Sequence, residues 1–219
     1  MARAISVTEL YSRKRKVLPF IGEWAAHIGL PEPKYTWLIW GDSSNGKTTY
    51  VLMLVKYLSQ FGKVLYNSME EGDSMSMKNA FKRVKMEEVR RRVVLLDNES
   101  IDELDVRLSK PKSPKIVVID TVQYAELSFN RYKQLKEKHP NVLWIYISHE
   151  DRKTKEPDGK VAQKIRRDAM VKIRVEGFKA FPTSRYDGKQ EFIIWQKGAD
   201  DYWADSLPKA EEKNDHAKK

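Results

Sequence analysis

Eight consecutive residues, Gly41-Asp42-Ser43-Ser44-Asn45-Gly46-Lys47-Thr48, fit the pattern G-x-x-x-x-G-K-[ST] of a phosphate-cradling loop. A polyphosphate carries dense negative charge. Backbone N–H groups in a tight turn at the start of a helix can surround it. Gly41 and Gly46 permit the close backbone approach that a Cβ would hinder. Lys47 has the reach for β- and γ-phosphates, and the Thr48 hydroxyl can ligate Mg²⁺. The pattern assigns Gly41 to Thr48, with Thr49 behind them, to nucleotide binding. Two acids farther along could complete such a site. Asp120 ends the apolar run Lys115–Asp120 (KIVVID) and has the position of a Walker B carboxylate, which holds the metal with Thr48. Glu70 follows the run Lys63–Ser68 (KVLYNS). A carboxylate there can orient and polarise an attacking water, and strand alternation turns its neighbour Glu71 elsewhere.

These residues need elements to position them. Tyr35–Trp40 (YTWLIW) reads as a strand entering the glycine loop. Thr49–Gln60 reads as the helix leaving it, with Val51, Leu52, Leu54, Val55 and Leu58 at helical spacing. Val142–Ser148 (VLWIYIS) and the run before Asp120 are apolar almost throughout, as strands buried on both faces are. Residues 73–92, 101–108 and 126–138 read as helices, and 93–96 as a short strand. Ala169–Val175 and Glu191–Gln196 read as late strands, with a hairpin placed at Asp187-Gly188. Strands alternating with helices predict an α/β fold with a mostly parallel, helix-flanked sheet, whose ligand sits at the carboxyl ends of the strands. Residues 1–34 read as a helical lead-in. Pro19 falls in a first turn, and Phe20, Ile21, Trp24, Ala25 and Ile28 share one face. The core then spans 35–205, and 206–219 is a charged tail expected to be disordered.

Composition narrows the setting. The chain has 219 residues, 41% of them hydrophobic, and a net charge of +10. It shows no membrane-spanning apolar run and no signal-peptide pattern, so the expectation is a soluble, cytoplasmic protein. There is no cysteine, which excludes disulfides and thiolate metal sites, and His27, His139, His149 and His216 lack metal-ligand spacing. A basic balance favours polyanions, nucleic acid foremost. Positive charge clusters at Arg13–Lys16, Lys82–Arg92 and Arg152–Arg174. Between Glu150 and Arg167 lie Arg152, Lys153, Lys155, Lys160, Lys164, Arg166 and Arg167, against four acids, in a segment that reads as a mobile loop. Trp24, Trp37, Trp40 and Trp144 fall at core spacing.

The order of these motifs resembles the RecA-like ATPases, nearest to the RadA, KaiC and DnaB branch. The more specific parts of the likeness are Val64–Glu71 (VLYNSMEE) and Ile147-Ser148-His149, and it covers about residues 35–200. The resemblance implies a core sheet of order 5-1-4-3-2, assembly into rings or filaments, and ATP with Mg²⁺ between subunits. It makes Glu70 the catalytic carboxylate and His149 the sensor of the γ-phosphate. Residues 121–131, with Tyr124 and Phe129, and the basic set within 150–167 would face DNA, single-stranded by preference. Lys197 matches the start of a K-x-R pattern that reaches a neighbour's γ-phosphate, but Ala199 stands where the Arg belongs, and Arg185 is the substitute at hand. The chain has no room for a helicase N-terminal domain, a zinc finger or a Lon-like domain. It resembles the compact recombination ATPases of phages and mobile elements.

The favoured expectation is thus an ATPase coupled to DNA in recombination or replication. The alternative is a nucleotide-gated adaptor or loader with weak or no hydrolysis. A small-molecule kinase would want an Arg-rich lid, for which only Arg90–Arg92 offers itself, and a GTPase would want an N-K-x-D motif that the chain lacks.

Overall fold

The computed structural model describes residues 3–204, so the charged tail lies outside the described residues. An eight-stranded sheet forms the centre. Its strands are β1 (Tyr35–Gly41), β2 (Val64–Ser68), β3 (Val93–Asp97), β4 (Ile116–Asp120), β5 (Leu143–His149), β6 (Val171–Glu176), β7 (Lys179–Ser184) and β8 (Phe192–Ile193). They lie in the order β3-β2-β4-β5-β1-β6-β7-β8. The five core strands, β6, β1, β5, β4 and β2, run side by side and parallel, which is the anticipated 5-1-4-3-2 order. β3 extends it beyond β2, and the antiparallel strands β7 and β8 extend the other edge.

Alternation along the strands divides the core into two layers. Trp37, Ile39, Tyr66, Val118, Ile145 and Ile173 face one side, where α2 (Gly22–Ile28), α3 (Lys47–Leu58) and α4 (Met75–Arg83) cover them. Leu38, Leu65, Val117, Ile119, Trp144 and Tyr146 face the other, beneath α5 (Ile101–Leu108), α6 (Phe129–Lys138) and α7 (Lys160–Asp168). A parallel sheet buried on both faces needs apolar side chains at every position, so KIVVID and VLWIYIS read as continuous runs. Six of the twelve α3 residues, Tyr50, Val51, Leu52, Leu54, Val55 and Leu58, are buried. Trp37, Trp40 and Trp144 are buried as expected, and Trp24 packs against the same core.

Four expectations need correction. The lead-in holds a short helix, α1 (Val7–Ser12), and α2, which starts only at Gly22; Ile21 is its N-cap and exposed. Leu18, Phe20 and Ile28 sink into the core all the same. The hairpin does not turn at Asp187-Gly188 but at Gly177-Phe178, whose φ values of 52° and 57° build a tight turn. Its second strand, β7, carries Pro182 beyond the two residues that β8 pairs, where a missing N–H is tolerated. The basic stretch after β5 is half helix, because 160–168 forms α7. Finally, β2 ends at Ser68, so alternation no longer separates Glu70 from Glu71.

Candidate nucleotide site

The carboxyl ends of β1, β2, β4 and β5 open into a cleft of about 790 Å³. Gly41 ends β1 against β6, where a Cβ would collide with the Val175 carbonyl oxygen. Asp42, Ser43, Ser44, Gly46, Lys47, Thr48 and Thr49 line the cleft, and Glu70, Asp120 and His149 line it too. Gly46 caps α3 with φ 89°, which aims the first backbone N–H groups of the helix into the opening. Asn45 takes a different part. Its Oδ1 accepts from Gly177 N (2.7 Å), its Nδ2 donates to the Ser43 carbonyl, and its own carbonyl accepts from Phe178 N. The side chain ties the glycine loop to the β6–β7 turn.

The Lys47 ammonium donates to the Gly41 carbonyl (3.1 Å). Burial lowers its pKa, while Asp120, Glu70 and Asp42 oppose the shift. Asp120 is buried, which raises its pKa to about 6 despite a hydrogen bond donated by the Tyr66 hydroxyl and the charge of Lys47. A carboxylate pushed up by desolvation, with a hydroxyl and an ammonium near it, suits a cation beside Thr48 in the first turn of α3. These residues fit a bound nucleotide with its metal.

Glu70 is positioned through Asp120, whose carbonyl accepts from Glu70 N (3.2 Å). Its Oε2 lies 3.4 Å from His149 Nε2. Desolvation first, then the Lys47 charge, lower the His149 pKa, so the ring is neutral at neutral pH and presents Nε2–H to Glu70. The His149 backbone N donates to Gln123 Oε1, while Gln123 Nε2 donates to Ser148 Oγ and the Asp158 carbonyl. Asp158 N in turn donates to the His149 carbonyl. One amide therefore links the end of β5 with the loop that follows it.

Other expected residues are not brought to the cleft. Lys197 is exposed in the first turn of α8 (Gln196–Ala204) and is not part of the lining, nor is Arg185, which follows β7. Much of the basic loop is neutralised internally. Arg152 pairs with Asp42, Lys155 with the buried Glu150, and Arg166 with Glu156, while Lys164 sits over the Phe129 ring. Lys153, Lys160 and Arg167 are exposed without an ion pair among the described residues. Tyr124 is exposed beside the His149 ring, but Phe129 stacks on Tyr132. Arg90 pairs with Glu87 and Arg92 caps the Ser59 carbonyl, in a groove that shares no residue with the cleft.

Several lining residues escaped the sequence reading. Glu71 shares the cleft with Glu70. Arg83 on α4 reaches it and donates to Thr49 Oγ1 (3.2 Å). Phe178, Ile194 and Trp195 form an apolar wall, with Trp195 edge-on to Phe178 and 53% exposed. No local pattern distinguishes these residues. Gln123, three residues after a Walker-like Asp, was the one within reach of a motif-based search.

The sheet order, the glycine loop and the acid after β4 define a RecA-like P-loop NTPase fold. No protein-family model matches the chain, and no curated protein matches it in sequence. Solved structures do match. The ATPase domain of a DnaB-like helicase is 20% identical, with a TM-score of 0.51, covering 73% of this chain and 80% of that one. The flagellar accessory protein FlaH from Methanocaldococcus jannaschii is 14% identical, with a TM-score of 0.54, covering 77% and 87%. At these identities the likeness is one of fold. No helix among the described residues is long and apolar enough to cross a membrane.

Proposed function

We propose that the chain binds and hydrolyses ATP and couples it to DNA, single-stranded by preference, in recombination or replication. The observation that carries this is the convergence of Lys47, Asp120, Glu70 and His149 on one cleft, with His149 Nε2 3.4 Å from Glu70 Oε2. Gly41–Thr49 would hold the phosphates, and Thr48 with Asp120 would hold Mg²⁺, which when bound neutralises charge on the β- and γ-oxygens. Glu70 accepts the proton of the attacking water. His149 donates to Glu70 while the γ-phosphate site is empty; an anion there competes for the same N–H. Gln123 carries that exchange to the loop 151–159. Phe178, Ile194 and Trp195 offer a flat apolar surface to the base. Lys197, exposed on α8, is offered to a neighbouring copy in a homo-oligomer.

The adaptor reading draws on one observation: neither Lys197 nor Arg185 reaches the cleft, so a cation for the γ-phosphate must come from outside the chain or be lacking. ATP turnover, measured with and without single-stranded DNA, separates the two. Turnover that rises with DNA, vanishes in Lys47→Ala, and stops in Glu70→Gln while ATP binding persists is the expected result. Retained turnover in Glu70→Gln removes Glu70 from catalysis. Turnover indifferent to DNA favours the adaptor.

A further inference from the structure

A second body of positive charge lies at the opposite end of the sheet from the cleft. Lys63 precedes β2 and Lys115 precedes β4, and these strands pair in parallel with Val64 opposite Ile116. The two lysines therefore leave the sheet side by side, about 5 Å apart at the backbone. Lys112, in the link before β4, and the segment Lys14-Arg15-Lys16 line the same groove, of about 620 Å³. That segment is pinned by Leu18, which is buried and whose N–H donates to the Pro31 carbonyl. All six cations are exposed. Among the described residues none of the six forms an ion pair; the groove's one acid, Glu32, is engaged by Lys34 at 3.8 Å.

The contrast with the basic loop decides the argument. Arg152, Lys155 and Arg166 each have a carboxylate partner, so their charge is largely spent within the protein. Six unpartnered cations converging from separate stretches of chain repel one another and cost stability, and a polyanion relieves that cost. The groove is open and carries no exposed aromatic ring, since Phe61 packs against Phe20 and Tyr57. It offers charge without a stacking platform, which suits a sugar–phosphate backbone rather than bases.

We infer that this groove, and not only the loop after β5, holds the phosphate backbone of a nucleic acid, without sequence preference. The choice of nucleic acid over other polyanions rests on the proposed function; the groove's charge does not. Filter binding of a labelled single-stranded oligothymidine, done without nucleotide, tests it independently of any ATPase activity. The triple variant Lys63→Ala, Lys112→Ala, Lys115→Ala is expected to bind about tenfold or more weakly. The slope of log affinity against log salt should fall by about 2, near 0.7 for each lost contact. The corresponding triple Lys→Arg variant should keep the wild-type affinity, because its charge is retained. Unchanged binding and slope in the Ala variant overturn the inference. So does equal loss in the Arg variant, which would make the lysines structural. Loss of poly-glutamate binding with DNA affinity intact also overturns it, in favour of an acidic protein partner.

Discussion

Two buried titratable side chains respond to acid in opposite directions. His27 is fully buried; its Nδ1–H donates to the Gln190 carbonyl and its Nε2 accepts from the Tyr50 hydroxyl, both at 2.7 Å. Burial lowers its pKa from 6.5 to about 4. Between those values the unfolded chain binds the proton and the folded one does not, so stability falls as pH drops through this window. The full loss is on the order of 3 kcal/mol. Asp120, raised to about 6, works the other way, because the folded state holds more protons between pH 3.8 and 6. The wild-type profile is therefore shallow, and a difference is needed to expose the His27 contribution. Urea unfolding of wild type and His27→Gln at neutral pH and near pH 4.5 should show the wild type losing about 2 kcal/mol more than the variant. Parallel profiles would refute the neutral-histidine assignment. At this scale the sequence was legible where spacing encodes chemistry: Lys47, Thr48, Glu70, Asp120 and His149 all reach one cleft. It was silent where a side chain arrives from a distant element, as Arg83 and Trp195 do.

Elements explain the next layer of agreement and of failure. The doubly buried strands were readable because burial on both faces leaves no room for polar residues. β7 was not, because KAFPTS is an edge strand with a proline and only partial burial. Its turn, Gly177-Phe178, places a bulky residue at positive φ, which no turn rule anticipates. The reason lies outside the hairpin: Asn45 holds both backbone N–H groups of that turn, one by side chain and one by carbonyl. Asn45→Ala removes the 2.7 Å bond to Gly177, worth about 1 kcal/mol, and loosens the glycine loop. Nucleotide affinity, measured by calorimetry, should fall about fivefold, with Gly41, Lys47 and Thr48 intact. An affinity equal to wild type would show that the loop keeps its shape without this tie.

For the whole molecule, parallel strands give the sheet a direction. Nucleotide chemistry gathers at one end and unpaired positive charge at the other, separated by strands of five to seven residues, about 17–23 Å. The first end was foreseeable from motifs. The second was not, because its cations are scattered from Lys14 to Lys115 and meet only once the sheet is built. The turn at Gly177-Phe178 has an optical consequence. Its far side is held by Trp203, whose indole N–H donates to the Gly177 carbonyl (3.1 Å), and by Trp195 against Phe178. Both indoles thus read, through one turn, whatever Asn45 does in the glycine loop. Intrinsic tryptophan emission should shift when nucleotide arrives, and Asn45→Ala should blunt the shift even at saturation. Emission that ignores the nucleotide would mean the loop closes without its anchor. The protein carries a label-free reporter of its own occupancy.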